Sequence, residues 1–577
     1  MYHSFLFPEM LKLNIEAGDN PLLSVKQSTP LGLALLNVSR QAFFAYFTFE
    51  MLSILRVSTF LLCSIKALAY ATIGNNGTLT ITSQSIGPDG FNRTASVIND
   101  IHPGPLIALK KGDSVSMNVV NQLSDPSMIL GTTIHWHGIF QTRTNFMDGT
   151  NGVTQCPIAP GDSFRYRFDI DQVGTYWYHS HFGVQYCDGV RGALVIYDDE
   201  DPLRHLYDVD DDSTVIALSE WYHILAVDVT GVPSADATLI NGKGRYPGGP
   251  EADLAVVNVK QGKRYRFRLI SMSCDPNFTF SIDNHDLTVI EVEGTETKPY
   301  TVNSIQIFVG QRYSVVLHAN QTVGNYWIRA LPNSGNRNLN STFEGGVNSA
   351  ILRYRGAPIE EPTSEQQSHK DPLLETSLHP LVHTPSPGRP TPQGGDVDFE
   401  FTLGFDTETF LFTVNGTAFQ PPTVPVLLQI LSGARSAHSL MPEGSVYTVG
   451  RNKTVQVNLP SGLIGGPHPF HLHGHTFWVV RSADSHQYNY EDPVIRDVTS
   501  IGDTAGDFVS IRFRTDNPGP WIFHCHIDFH LKAGLAIVFA EAPADTKEYL
   551  KTPPSEWDQL CPIWDALPSS VIHAGNN

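Results

Sequence analysis

Five His-X-His triplets constrain this chain more than any other feature: His135/His137, His179/His181, His471/His473, His473/His475 and His524/His526. With 23 histidines in 577 residues, chance supplies roughly one such triplet. The five gather in four short motifs, HWHG, HSH, HPFHLHGH and HCHIDFH, and none falls in the middle third of the chain. Residues i and i+2 of a strand point to one side, so an extended His-X-His presents two imidazoles in one direction, a geometry suited to gripping metal. Isolated histidines such as His205, His223, His285 and His318 read as ordinary structural or surface residues.

His524-Cys525-His526 carries a further argument. If it is extended, both imidazoles face one way and the sulfur the other, so one tripeptide binds two metal sites back to back with Cys525 as their covalent bridge. A thiolate with two histidines and a weak axial position is the blue-copper ligand set. His530, five residues on, and His468, displaced from the His471/His473 pair, are the nearby sources of its imidazoles. Zinc also takes His and Cys, but structural zinc sites usually show paired cysteines, whereas a single Cys among clustered histidines fits copper. The alternative for Cys525, half of a disulfide, is disfavoured by its flanking histidines.

The body of the chain reads as β. Ser163–Phe168, Lys263–Leu269 and Thr454–Leu459 alternate polar and apolar residues, and turn residues recur between such runs, with 47 Gly and 39 Pro in all. Helical periodicity is weak, so the expectation is an all-β chain of Greek-key barrels or sandwiches. Its length, 41% hydrophobic and 17% charged content suit several cores. A Pro/Ser/Thr/Gly-rich linker spans Ala357 to Asp396, and acidic runs mark a second boundary near Tyr197–Asp212. The formal charge of −20 sets nucleic acid aside as a partner, because the chain repels phosphate backbones.

The amino terminus carries a secretory pattern. Met51–Ala71 holds Arg56, an apolar run from Val57 to Ile65, and small residues at Ala67, Ala69 and Ala71. That run is far short of the ~20 residues a membrane span needs, and no later one reaches it, so no membrane partner is expected. Residues 1–50 do not resemble a signal; they are expected to be a gene-model extension, with Met51 the true start and 51–71 the signal peptide. Seven acceptor sequons follow, at Asn76, Asn92, Asn277, Asn320, Asn340, Asn415 and Asn452, as in a glycosylated extracellular protein.

The segments His135–Ile158, Gly174–Gly192, His468–His475 and Gly519–Ala536 resemble the four signature segments of multicopper oxidases, and the similarity extends over essentially all of 72–577. Its nearest form is the secreted basidiomycete-type fungal laccase. The resemblance implies three cupredoxin-like Greek-key β-barrel domains, 72–201, 202–371 and 372–577, with copper in the first, the third and their interface. It implies four copper ions: type 1 on His468, Cys525 and His530; type 2 on His135 and His471; and a type 3 pair on His137, His179 and His526 and on His181, His473 and His524. His475 is left as a non-ligand, and Leu535 falls at the axial position, where a leucine cannot ligate.

The implied activity is one-electron oxidation of small phenolic or aromatic amine substrates coupled to reduction of O₂ to water, with a role in lignin or phenolic degradation. Asp148 and Asp497 match acidic residues near the three-copper cluster that can feed protons, and Asp275 matches a carboxylate that accepts a phenolic proton. Read from the chain alone, Asp148 and Asp497 are equally structural carboxylates on a turn or strand, and Asp275 in CDPN reads rather as a solvated turn residue. Ser334, Ile464, Phe146 and Lys532 depart from common family residues and bear on substrate preference and potential. Similarity also favours disulfides Cys156–Cys561 and Cys187–Cys274, one of three pairings open to the four remaining cysteines of a secreted protein. A monomer is expected. The alternatives are a secreted ferroxidase, which needs acidic residues around the type 1 histidine, and a copper-binding protein without turnover, which does not need the complete ten-histidine set.

Overall fold

The computed structural model describes residues 71–333 and 342–574, together with two strands, Leu22–Val25 and Leu36–Ser39, that pair antiparallel. Residues 51–70, Ser334 and the sequon at Asn340 lie outside the described residues.

Three successive pairs of sheets, with a two-stranded hairpin of Leu403–Asp406 and Leu411–Val414, make up the rest of the described strands. In the first, a five-stranded sheet runs in the order Thr72–Ile73, Gly104–Lys110, Arg191–Tyr197, Gly174–His179, His135–His137; its partner runs Arg93–Ile98, Asn76–Ile86, Ser114–Gln122, Ser163–Asp169. The second pair is built from strands between Val215 and Tyr354, in sheets of seven and five. The third places Val446–Val449, Ala536–Glu541, Gly519–Cys525, Pro469–Leu472 and Val498–Ser500 in one sheet, and Val397–Glu400, Thr454–Pro460, Phe508–Arg514, Phe477–Arg481 and Ile495–Arg496 in the other.

Alternation explains the outer strands. Ser163–Asp169 turns Phe164, Tyr166 and Phe168 inward, where Tyr166 and Phe168 meet Trp136 at ring separations of 5.5 and 5.2 Å. Gly174–His179 and Gly519–Cys525 are instead buried along their whole length, because one face looks into a barrel core and the other into a junction between barrels, and a strand covered on both faces has no polar alternation. Trp136 and Tyr178 belong to the first core, and Phe523 and Cys525 to the core shared by the second and third pairs. Their neighbours at odd spacing, His135, His137, His179 and His524, point the other way.

The expected linker 357–396 contains no strand, yet it is docked rather than loose. Lys298 N donates to His379 O at 2.9 Å, Glu375 pairs with Arg496 at 2.6 Å, and Arg512 donates to the carbonyls of Pro387, Arg389 and Thr391. The acidic boundary near residue 200 is held likewise: Asp201 and Asp210 meet Arg266 and Arg268 of strand Arg264–Ser271. The carboxy-terminal helix Ser555–Asp565 buries Trp557, Leu560 and Trp564 on one stripe, and the Cys156–Cys561 disulfide ties it to the first sheet pair. Cys187–Cys274 joins the first pair to the second. No described helix is long and apolar enough to cross a membrane.

Candidate metal centre

The histidine strands meet in pairs. His135 lies directly across from His179, and His471 directly across from His524. Each pair of neighbouring strands thus delivers imidazoles from both sides onto one junction, and eight rings converge there: His135, His137, His179 and His181 from the first sheet pair, His471, His473, His524 and His526 from the third. Nitrogens of His137, His179 and His526 lie within 4.8 Å of one another, as do those of His181, His473 and His524. His135 and His471 close a third group together with His137.

Two aspartates orient this cluster in parallel ways. Asp148 takes the His135 Nδ1–H on its backbone carbonyl at 2.8 Å and that of His473 on its carboxylate at 2.9 Å. Asp497 takes the His471 Nδ1–H on its carbonyl at 2.9 Å and the His137 Nε2–H on its carboxylate at 3.3 Å. The rings themselves stack in matching pairs, His135 on His473 and His137 on His471, both at 3.9 Å. His179 and His524 donate to the Ser180 and Cys525 carbonyls. A ring whose outer nitrogen is so engaged has its tautomer fixed and turns a lone pair inward. His137 presents Nδ1 in this way, 3.1 Å from His526 Nε2.

The inward nitrogens fit metal. Nε2 of His135, His179, His181 and His471 are buried without a hydrogen-bond partner, an arrangement that costs free energy unless a ligand accepts the lone pairs. Burial and neighbouring imidazoles hold His137, His179, His181, His471, His473 and His526 well below the usual histidine range, and burial holds His524 at about 4. Neutral imidazoles are the form that binds metal. Gly310, at φ +82°, passes so close that a Cβ would stand 3.0 Å from both His137 and His526.

The second group lies on the other face of the same strand. Cys525 Sγ is 3.4 Å from His468 Nδ1 and 3.8 Å from His530 Nδ1, and the two nitrogens are 3.1 Å apart. Burial pushes the Cys525 thiol far up and holds His468 near 4, so a thiolate here requires a cation beside it. Leu535 is buried; its N–H donates to the His530 carbonyl and its own carbonyl accepts from Cys525 N–H, both at 3.0 Å. Phe412 packs on His530 at 4.6 Å, leaving that residue 8% exposed. Ile464 is exposed nearby, while Phe146 is buried against Trp557 on the carboxy-terminal helix.

Asp275 is half-buried, and burial and Glu220 together raise its carboxyl to about 7. His475 joins neither metal group and pairs with Glu541 at 2.9 Å. His285 is bonded to Asp283 and Tyr354, and His223 to Asp89.

Some contributors carry no sequence signal. Arg312, in the second sheet pair, clamps Asp497 with two bonds of 2.6 and 2.7 Å, and Glu293 accepts from the backbone of Asp497 and Val498. The region without clustered histidines therefore supplies the supports of one cluster carboxylate. Asp528 stands within HCHIDFH and is buried against Cys187, its carboxyl raised well above the usual range by burial. Its position between His526 and His530 was the available signal.

Comparison with known proteins agrees with this geometry. Multicopper oxidase family models match residues 80–201, 212–357 and 419–545. The chain is 56% identical over 517 residues to laccase-2 of Trametes villosa, covering 89% of this chain and 98% of the relative, and 54% identical over 511 residues to laccase-2 of Pleurotus ostreatus, covering 86% and 94%. Among solved structures, the Botrytis aclada laccase is 32% identical with a TM-score of 0.73 over 86% of this chain and 92% of its own. Fet3p, a multicopper oxidase that functions in iron import, is 27% identical with a TM-score of 0.73 over 86% and 96%.

Proposed function

The chain belongs to the multicopper oxidase family, and on that footing we propose that it acts as a laccase, oxidising small phenolic or aromatic amine donors and reducing O₂ to water. The observation that carries this reading is His524-Cys525-His526: one strand end whose sulfur sits in a His–Cys–His group and whose imidazoles sit in the eight-ring cluster. A storage or structural copper protein has no use for such a bridge.

We assign type 1 copper to His468, Cys525 and His530, type 2 to His135 and His471, and the type 3 pair to His137, His179, His526 and to His181, His473, His524. Copper held there supplies one-electron acceptance from the donor and four-electron reduction of O₂ to two waters. The chain's own part is positional. Leu535, buried and bonded through its backbone to Cys525 and His530, offers no ligand atom, so a copper held by His468, Cys525 and His530 would have a higher potential than one that also bound a thioether. The narrow exposed edge of His530 limits where a donor ring can approach. Asp275 accepts the phenolic proton that becomes strongly acidic as the electron leaves. Asp148 and Asp497 hold imidazole N–H groups and are placed to pass protons inward.

Two further readings go with this one. The domains are 72–201, 202–371 and 372–577, supported by every strand of each sheet pair falling within one of these ranges. The protein is secreted, supported by the signal pattern, two disulfides, and exposed sequon asparagines at positions 76, 92, 320, 415 and 452. A ferroxidase is disfavoured because Lys532 stands in the short helix bearing His530, where an acidic residue would favour Fe²⁺. Oxygen uptake on copper-loaded protein tests the choice: uptake is expected with a methoxyphenol. Uptake only with Fe²⁺, or no uptake with either donor on a four-copper protein, refutes the laccase reading.

A further inference from the structure

Behind Asp275 lies a buried network that joins its segment to three others. Glu220, fully buried in strand Val215–Trp221, accepts from Cys274 N at 2.9 Å and from the Ser273 hydroxyl with the same carboxylate oxygen, Oε2. Its other oxygen, Oε1, is held by Arg191 Nη1 at 2.9 Å, and Arg191, also fully buried, reaches on to the Met272 carbonyl at 2.7 Å. Tyr186 donates to the Ser273 carbonyl at 3.1 Å and lies 3.4 Å from His526 Nδ1. Asp528 N donates to the Cys274 carbonyl at 2.9 Å, and the Cys187–Cys274 disulfide completes the restraint.

The segment Met272–Cys274 is therefore fixed at every residue, and Asp275 is the first position beyond it. A buried carboxylate that spends one oxygen on an arginine and the other on a hydroxyl and an amide is more than a paired charge, because its second oxygen sets a backbone course. Its negative charge also bears on Asp275. The other titratable groups in electrostatic reach of Asp275 include Tyr222, the residue after Trp221, and Cys525, while Glu220, Arg191 and Lys532 bear on Asp528.

We propose that Glu220 is a positioning residue for phenol oxidation: through Ser273 and Cys274 it fixes the backbone that places Asp275 beside the short helix bearing His530. This rests on the laccase reading above. In the step concerned, the donor phenol loses one electron to the enzyme and its O–H proton to the Asp275 carboxylate, leaving a phenoxyl radical; O₂ is the terminal oxidant.

The test compares a methoxyphenol, which must shed a proton, with ferrocyanide, a one-electron donor that has none. In the copper-loaded enzyme, Ser273→Ala removes the hydroxyl bond while keeping the Glu220–Arg191 pair, and Glu220→Gln removes the charge. Both are expected to lower kcat/KM for the methoxyphenol about tenfold, with ferrocyanide oxidation and blue absorption within twofold of wild type. Glu220→Gln also moves the rise of the phenol pH profile to lower pH. Should Arg191, left without its counter-charge, prevent Glu220→Gln from folding, the donor ratio in Ser273→Ala decides alone. A parallel loss with both donors, or an unchanged donor ratio in Ser273→Ala, overturns the positioning role. A wild-type enzyme that oxidises neither donor overturns the laccase reading instead.

Discussion

The eight-ring cluster and the His–Cys–His group share one strand but are built differently. The cluster takes four histidines from each of two barrels, and each barrel brings an aspartate that orients one ring through its carbonyl and another through its carboxylate. The His468–Cys525–His530 group comes from the third barrel alone, and among the described residues no carboxylate bonds to its rings. One site is locked from outside by charge and hydrogen bonds, which suits a reaction on a small gas molecule sealed from solvent. The other is set in apolar packing of Leu535 and Phe412 with one edge open, which suits exchange of electrons with a bulky donor.

Breaking the shared strand separates them most sharply. Cys525→Ser is expected to abolish the blue absorption and lower turnover at least about a thousandfold, while copper analysis still finds three ions per chain. Persisting blue colour would refute the type 1 assignment.

Striking the cluster's supports makes the opposite cut. Arg312→Met leaves Asp497 buried without its cation and weakens its hold on His137 and His471. Metal affinity of the cluster is expected to fall about 10–100-fold with the blue absorption intact, as measured by copper content after dialysis against a chelator. Loss of the blue band first would show that the two sites are not independently supported.

A finer contrast concerns the open edge. Asp275→Asn is expected to reduce kcat/KM for a methoxyphenol by about a hundredfold and to leave ferrocyanide oxidation alone. Asp275 accepts a proton only when ionised, so in the wild type the Asp275-dependent phenol rate rises with pH towards about 7, and the variant lacks this limb. The stability sign runs the other way. A carboxyl raised from 3.8 to about 7 on folding favours the folded state most at low pH, and that contribution is lost as pH climbs from about 4 through about 7. Urea unfolding of wild type and variant across that range should show the difference closing at low pH.

The smallest effect is at Leu535. Leu535→Met supplies a weak fourth ligand, so the potential measured by redox titration should fall with turnover changing only a few-fold.

Much of the metal centre was legible in the chain because strand geometry is local. A period of two decides that His524 and His526 face away from Cys525, and nothing distant can reverse it without breaking the strand. The same logic reads Ser163–Asp169 as half-buried. It fails for Gly174–His179 and Gly519–Cys525, whose complete burial depends on barrel-to-barrel contact. It also cannot tell a docked linker from a loose one. The 357–396 stretch is rich in turn formers, and its fixation comes from Arg496 and Arg512, more than a hundred residues away.

What the sequence by itself determined is therefore the clustering of the histidines and the two-sidedness of the strand that bears Cys525, since both follow from residue type and a spacing of two. The tertiary structure decided which rings face one another, because His137 and His526 come within 3.1 Å only when two barrels meet. It also decided who holds the carboxylates, since Arg312 reaches Asp497 across 185 residues and Glu220 reaches Cys274 across 54. Charges buried this deeply are tolerated only where partners are brought to them, and partners that distant are assembled by packing alone.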